Sequence, residues 1–131
     1  IGYGFAHDQL ITNLLKVKVP FEPSLLALIA GKAALDDSEF LSKTMILNEK
    51  GKKYFKKELE NLGVNFIPSA TNFITTIWES EDIAIMLTNS LLEKGVIVRH
   101  LTSFGWPNYI RVSIGLEEEN NKFIQSLKEI L

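Results

Sequence analysis

The sequence contains no cysteine, which rules out disulfides and thiolate metal sites and fits a reducing compartment. Its two histidines, His7 and His100, stand alone rather than at a metal-binding spacing, and no serine–histidine–aspartate order suggests a triad. Apolar runs stop well short of the roughly 20 residues needed to cross a bilayer. With a formal net charge of -2, the chain lacks the basic excess that nucleic-acid binding calls for. Gly2-x-Gly4 is too short to be a phosphate loop. Arginine is the scarcity that matters most: of 14 basic residues, only Arg99 and Arg111 are arginines.

What remains is 131 residues with ordinary apolar content, enough to bury one modest core. Arg99 ends the run Gly95-Val96-Ile97-Val98-Arg99, and Arg111 lies inside Tyr109-Ile110-Arg111-Val112-Ser113-Ile114-Gly115. β-Branched runs of this kind predict short strands, which fix the direction of a side chain. A guanidinium is planar, permanently charged and forked to match a carboxylate or phosphate at two points. Two such groups on neighbouring strands either hold an anion or lie along a sheet edge paired with surface carboxylates. The residues alone leave these readings level.

Taken in order, Ile1–Ala6 suits a buried strand or its exit turn, and it reads as the interior of a longer chain. His7-Asp8-Gln9 opens a helix with Leu10, Ile11, Leu14 and Leu15 on one face. Pro20 and Pro23 break it. From Ser24 a second helix carries Leu25, Leu26, Leu28 and Ile29 among small residues, and Gly31 within it implies close packing. Asp36-Asp37-Ser38 starts a long helix to about Asn61, capped by Gly63. Its lysines alternate with acidic residues and read as a solvated face. Beyond Gly63 the apolar period drops to two. Strands are predicted at 64–67 and 71–78, a helix from Glu79 to Gly95, strands at 96–99 and 109–114, and a final helix from Glu117 with Phe123, Ile124, Leu127, Ile130 and Leu131 facing inward. His7 reads as a surface group at a helix start and His100 as a loop residue beside Arg99. Asn72 could bind a ligand or close its turn, and Phe104 and Trp106 could wall a pocket or cover the sheet edge.

Several short runs gain meaning from their order. They are Ile1-Gly2-Tyr3-Gly4, Val19-Pro20-Phe21, Ala33-Ala34-Leu35-Asp36-Asp37, Pro68-Ser69-Ala70-Thr71-Asn72-Phe73, Gly95 to Arg99, Ile110 to Gly115, and Glu117-Glu118-Glu119-Asn120 before Phe123. So ordered and spaced, they resemble the C-terminal third of histidinol-phosphate aminotransferases, pyridoxal-phosphate enzymes of fold type I. The resemblance covers nearly the whole chain. It implies an α/β fold of the two-layer α+β kind, in which a small mixed or antiparallel sheet has helices on one face and connecting helices before it. Residues 1–35 would be the end of the large domain and its connecting helices, and residues 36–131 the C-terminal small domain.

The resemblance also implies roles. The Schiff-base lysine and an arginine holding the cofactor phosphate would lie upstream of Ile1, so pyridoxal 5'-phosphate would be bound by an N-terminal part outside this chain. None of the lysines here matches the family's catalytic position. Arg111 would hold the anionic end of the substrate, Arg99 would be its partner around the substrate phosphate, and Asn72 would sit near the substrate or the domain closure. The parent would catalyse histidinol-phosphate:2-oxoglutarate transamination, in the other direction passing an amino group from glutamate to imidazole-acetol phosphate, as a cytoplasmic homodimer with neither nucleic-acid nor membrane partners. The fragment alone would be inactive. A related aromatic aminotransferase or threonine-phosphate decarboxylase is the nearest alternative, and a free-standing anion-binding α/β module the more distant one. Two positions depart from the family pattern: Leu116 stands where a threonine would cap the last helix, and Glu22-Pro23-Ser24 replaces an asparagine-containing continuation.

Overall fold

The computed structural model describes residues 1–131, which divide into two units, Ile1–Ser42 and Lys43–Leu131. In the first unit, helix α1 spans Asp8–Val17 and helix α2 spans Leu25–Asp36. His7 starts α1 by accepting a hydrogen bond from the Gln9 amide, and Ser24 starts α2 by accepting one from the Ala27 amide at 3.3 Å. A Cβ on Gly31 would lie 3.0 Å from the Ile1 side chain, which is the close packing its sequence context implied. Residues Ile1 to Ala6 form no strand and are all exposed; of the expected buried strand or exit turn, the buried strand is not formed here, and no other strand pairs with them.

Helix α3, Ser38–Asn61, opens with Asp37 Oδ1 accepting the Phe40 amide at 2.8 Å. It ends at Gly63, whose φ of 68° carries the left-handed turn, while the Val64 amide reaches back to the Leu59 carbonyl at 2.9 Å. Then follow strands β1 (Asn65–Ile67) and β2 (Phe73–Ile77), helix α4 (Glu81–Glu93), strands β3 (Arg99–His100) and β4 (Tyr109–Ser113), and helix α5 (Glu117–Ile130). The sheet order is β1-β2-β4-β3, antiparallel throughout.

Alternation along the strands decides the two faces. Ile74, Ile110 and Val112 point to one side and join Phe55 and Leu59 of α3, Leu87 and Leu91 of α4, and Phe123, Ile124 and Leu127 of α5 in a single buried cluster. At the centre, the rings of Phe55 and Phe123 meet edge to face, 5.4 Å apart. Phe73, Thr75, Ile77, Tyr109, Arg111, Ser113 and Arg99 share the other face by register. The buried Thr76 hydroxyl donates to the Ile110 carbonyl at 3.2 Å and accepts the Trp78 indole N–H at 2.9 Å, so no polar atom of that side chain is wasted in the core.

Two expectations shift here. The third strand is two residues, Arg99–His100, rather than 96–99. Gly95, with φ 74°, ends α4, and the Val96 amide is tied back to the Leu91 carbonyl at 2.8 Å, which delays the chain's entry into the sheet. Leu131, expected to face inward, is exposed, since it falls just past the end of α5.

Candidate functional site

The site is built from the face of the sheet that the helices leave open. Arg99 and Arg111 are direct cross-strand partners in the β3–β4 ladder, so their side chains leave the sheet side by side. On the other flank of β4, Arg111 pairs with Thr75. Directly opposed like charges destabilise a ladder. Even so, no carboxylate lies within ion-pair reach of either guanidinium, and the ion pairs of this unit belong to lysines: Lys52 with Glu49, Lys56 with Glu60, Lys94 with Glu129 and Lys128 with Glu58. The surface-carboxylate reading of the arginines therefore has no partner to offer.

Each guanidinium has an aromatic neighbour instead. Arg111 lies 5.2 Å from the centre of the Phe73 ring and Arg99 lies 5.9 Å from that of Phe104. A ring face attracts the cation, restricts its rotamers and leaves the donor fork free for a planar anion. Phe104 sits in a short 3-10 turn, Thr102–Phe104, closed by Gly105 at φ 79°. That loop is pinned by His100, whose ring meets the Pro107 carbonyl and, at 3.1 Å, the Thr102 hydroxyl; Thr102 also donates to Glu81 at 3.0 Å. His100 is thus occupied in holding the loop. Trp106 leans on Tyr109, 5.1 Å between rings.

Asn72 stands at the same end of the sheet as the exit of β4. Its carbonyl accepts the Ile114 amide at 2.9 Å, three residues along from the Thr75–Arg111 pair, and its side chain is exposed. The turn before it is held by Ser69, whose hydroxyl accepts the Thr71 amide at 3.0 Å, and by Asn48 of α3, which donates to the Thr71 carbonyl at 3.2 Å. The structure therefore brings Arg99 and Arg111 together and sets Asn72 just before β2. A cavity of about 450 Å³ reaches Val112 and Ser113 beside Lys122 and Phe123, but neither arginine lines it. Phe73 and Thr75 were not singled out from sequence. Their signal was available in the parity of β2, which places every second residue from Phe73 on the face of Arg111.

The fold is a two-layer α+β unit with a paired-arginine face. The chain belongs to the aminotransferase class I and II family, whose sequence model matches residues 1–127. It is 40% identical over 131 residues to the histidinol-phosphate aminotransferase of Aliarcobacter butzleri and 40% identical to that of Nitratidesulfovibrio vulgaris, covering all of this chain and 35% of each relative. Among solved structures it is similar to histidinol-phosphate aminotransferase from Clostridium acetobutylicum, with a TM-score of 0.82 at 23% identity over 93% of this chain and 37% of that one. The Sinorhizobium meliloti histidinol-phosphate aminotransferase, solved in complex with pyridoxal-5'-phosphate, gives 0.81 at 19% identity over 92% of this chain and 34% of that one. Both share the expected fold with this chain, that of fold type I aminotransferases. The chain spans about a third of the length of the curated relatives it matches.

Proposed function

We propose that this chain is the C-terminal part of a histidinol-phosphate aminotransferase, with residues 1–35 as the end of the large domain and its connecting helices and residues 36–131 as the anion-presenting small domain. The observation that carries the reading is the cross-strand pair Arg99–Arg111, two uncompensated guanidinium groups on one open face. Their combined charge suits a phosphate dianion better than a single carboxylate. Arg111 holds the anionic end of the substrate, Arg99 completes the cradle around the phosphate, and Asn72 stands near the substrate or the closing edge. The ring faces of Phe73 and Phe104 keep both forks oriented before the anion arrives, so less orientational freedom is lost on binding.

The parent reaction in this reading exchanges an amino group between two pairs, histidinol phosphate and 2-oxoglutarate on one side, imidazole-acetol phosphate and glutamate on the other, and pyridoxal 5'-phosphate would supply the electron sink. In this reading the residues that hold the cofactor lie outside this chain. A Schiff-base lysine needs a desolvated pocket, whereas here only Lys52 is even half-buried, and it is bound to Glu49. The cofactor is assigned to the remainder of a cytoplasmic homodimer. The work of this chain is binding, orientation and exclusion of water.

The test is Arg111→Lys in the full-length enzyme. Lysine keeps the charge and loses the fork, so the KM for histidinol phosphate should rise by one to two orders of magnitude, about 1.5–3 kcal/mol for a charged hydrogen-bonding group. An unchanged KM would remove the anion reading.

A further inference from the structure

The geometry points to Asn120 as the residue that positions Arg111, an inference that rests on the anion reading of the arginine pair. Asn120 lies in the first turn of α5 and is buried, 4% exposed. Its Oδ1 accepts the Gly115 N–H at 3.0 Å and its Nδ2 donates to the Gly115 carbonyl at 3.0 Å. One side-chain amide thus satisfies both main-chain groups of a residue that has left the ladder, as a neighbouring strand would. The two residues flanking Gly115 are fastened as well: the Ile114 amide to the Asn72 carbonyl, and the Leu116 amide to Glu119 Oε2 at 2.7 Å. Three successive amides at the exit of the arginine strand are therefore tied, and Asn120 holds the middle one from within the core.

The packing is built around this clamp. A Cβ on Gly115 would collide with the Glu119 carboxylate. A Cβ on Gly51, in the middle of α3, would run into the Ile114 side chain and lie 3.2 Å from the Asn120 amide nitrogen. Gly51 is buried at that contact despite the cost of a glycine inside a helix, so the α3 backbone is seated directly against the strand exit. An apolar side chain could fill the volume of Asn120 but would leave both half-buried Gly115 groups without their partner. Four residues upstream of Gly115, within β4, is Arg111, whose two-point match to an anion depends on direction as well as charge. Asn120 touches no substrate in this scheme. It sets the direction of the strand that does.

The experiment compares Asn120→Ala, Asn120→Asp and Ile124→Val in the full-length enzyme, with Arg111→Lys alongside. Asn120→Ala should raise the KM for histidinol phosphate about tenfold with kcat within about twofold, since misplacement of a binding group weakens capture. Asn120→Asp keeps the acceptor for the Gly115 amide and should give a smaller rise, which also covers the case in which the alanine variant does not fold. Ile124→Val, one turn further along α5, should lower the melting temperature and leave KM unchanged. If both Asn120 variants melt early but bind substrate normally, Asn120 is a fold residue only and the proposal fails. If Arg111→Lys also leaves KM unchanged, it is the anion reading that fails.

Discussion

The two units of the chain use similar side chains to opposite ends. In Lys43–Leu131 the apolar residues of α3, α4 and α5 close over one sheet face, and Phe55, Leu59, Leu87, Ile124 and Leu127 are fully buried. In Ile1–Ser42 no residue of α1 or α2 is buried, while Phe5 is 94% and Phe21 98% exposed. α2 is apolar nearly all round, with Leu25, Leu26, Leu28, Ile29 and Leu35 all exposed. A helix of that composition has no solvent face of its own. The contrast separates two properties that a sequence pattern merges. Periodicity decides that a helix forms, and the presence of a complementary layer decides whether its apolar stripe contributes to stability.

The sharpest way to break the contrast is to delete equivalent bulk on each side. Phe55→Ala should cost about 3–5 kcal/mol in this chain, because it empties the centre of the only shared core. Leu26→Ala, with its side chain already in water, should stay within about 0.5 kcal/mol. Denaturant midpoints of the two variants would settle the matter, and equal losses would mean that α2 is packed far better than its exposure indicates.

A smaller effect sharpens the picture inside the packed unit. Leu116 is the N-cap residue of α5 and its side chain supplies no cap, so only Glu119, reaching back to the Leu116 amide, does that work. Leu116→Thr should therefore raise stability by about 1 kcal/mol, read as a shift in the unfolding midpoint at constant slope.

The smallest expected effect is the pH response of the bridge between α3 and α5. Lys128 donates to Glu58 Oε2 at 2.7 Å, and this hydrogen bond holds the Glu58 carboxyl below its ordinary value of 4.5. A depressed carboxyl stabilises the fold above its unfolded pKa, and that contribution disappears as pH falls through the folded value. Thermal melts from pH 6 down to pH 3 should show a slightly steeper acid loss in the parent chain than in Glu58→Gln. Parallel curves would show that solvent screening leaves the bridge without consequence.

Most elements were legible because their punctuation is local. Asp37 caps α3, Ser80 caps α4 by accepting the Ile83 amide at 3.3 Å, Gly63 turns the chain after α3, and α3 runs from Ser38 to Asn61 as its pattern predicts. β3 was misjudged because Val96-Ile97-Val98 has strand propensity but its first amide belongs to the end of α4, an interaction that composition does not report. Ile1–Ala6 has strand-like residues and no strand to join. At the site, the two arginines announced themselves by rarity, and their direct pairing needed only the register of β3 on β4. Asn120 was quoted as part of a motif, yet its partner is the main chain of Gly115, and backbone partners leave no mark in side-chain identity.

The strand order has a consequence for the sequence of assembly. β4 is the last strand to be made, yet it lies between β2 and β3, so neither can gain its second neighbour, or its only one, before Tyr109–Ser113 arrives. A nascent chain ending before Tyr109 holds at most the β1–β2 hairpin, a structure that is marginal by itself in water. Closing the sheet and aligning Arg99 with Arg111 are then one event, separated from β2 by the whole of α4. Folding of this unit and creation of its charged face cannot be uncoupled in time.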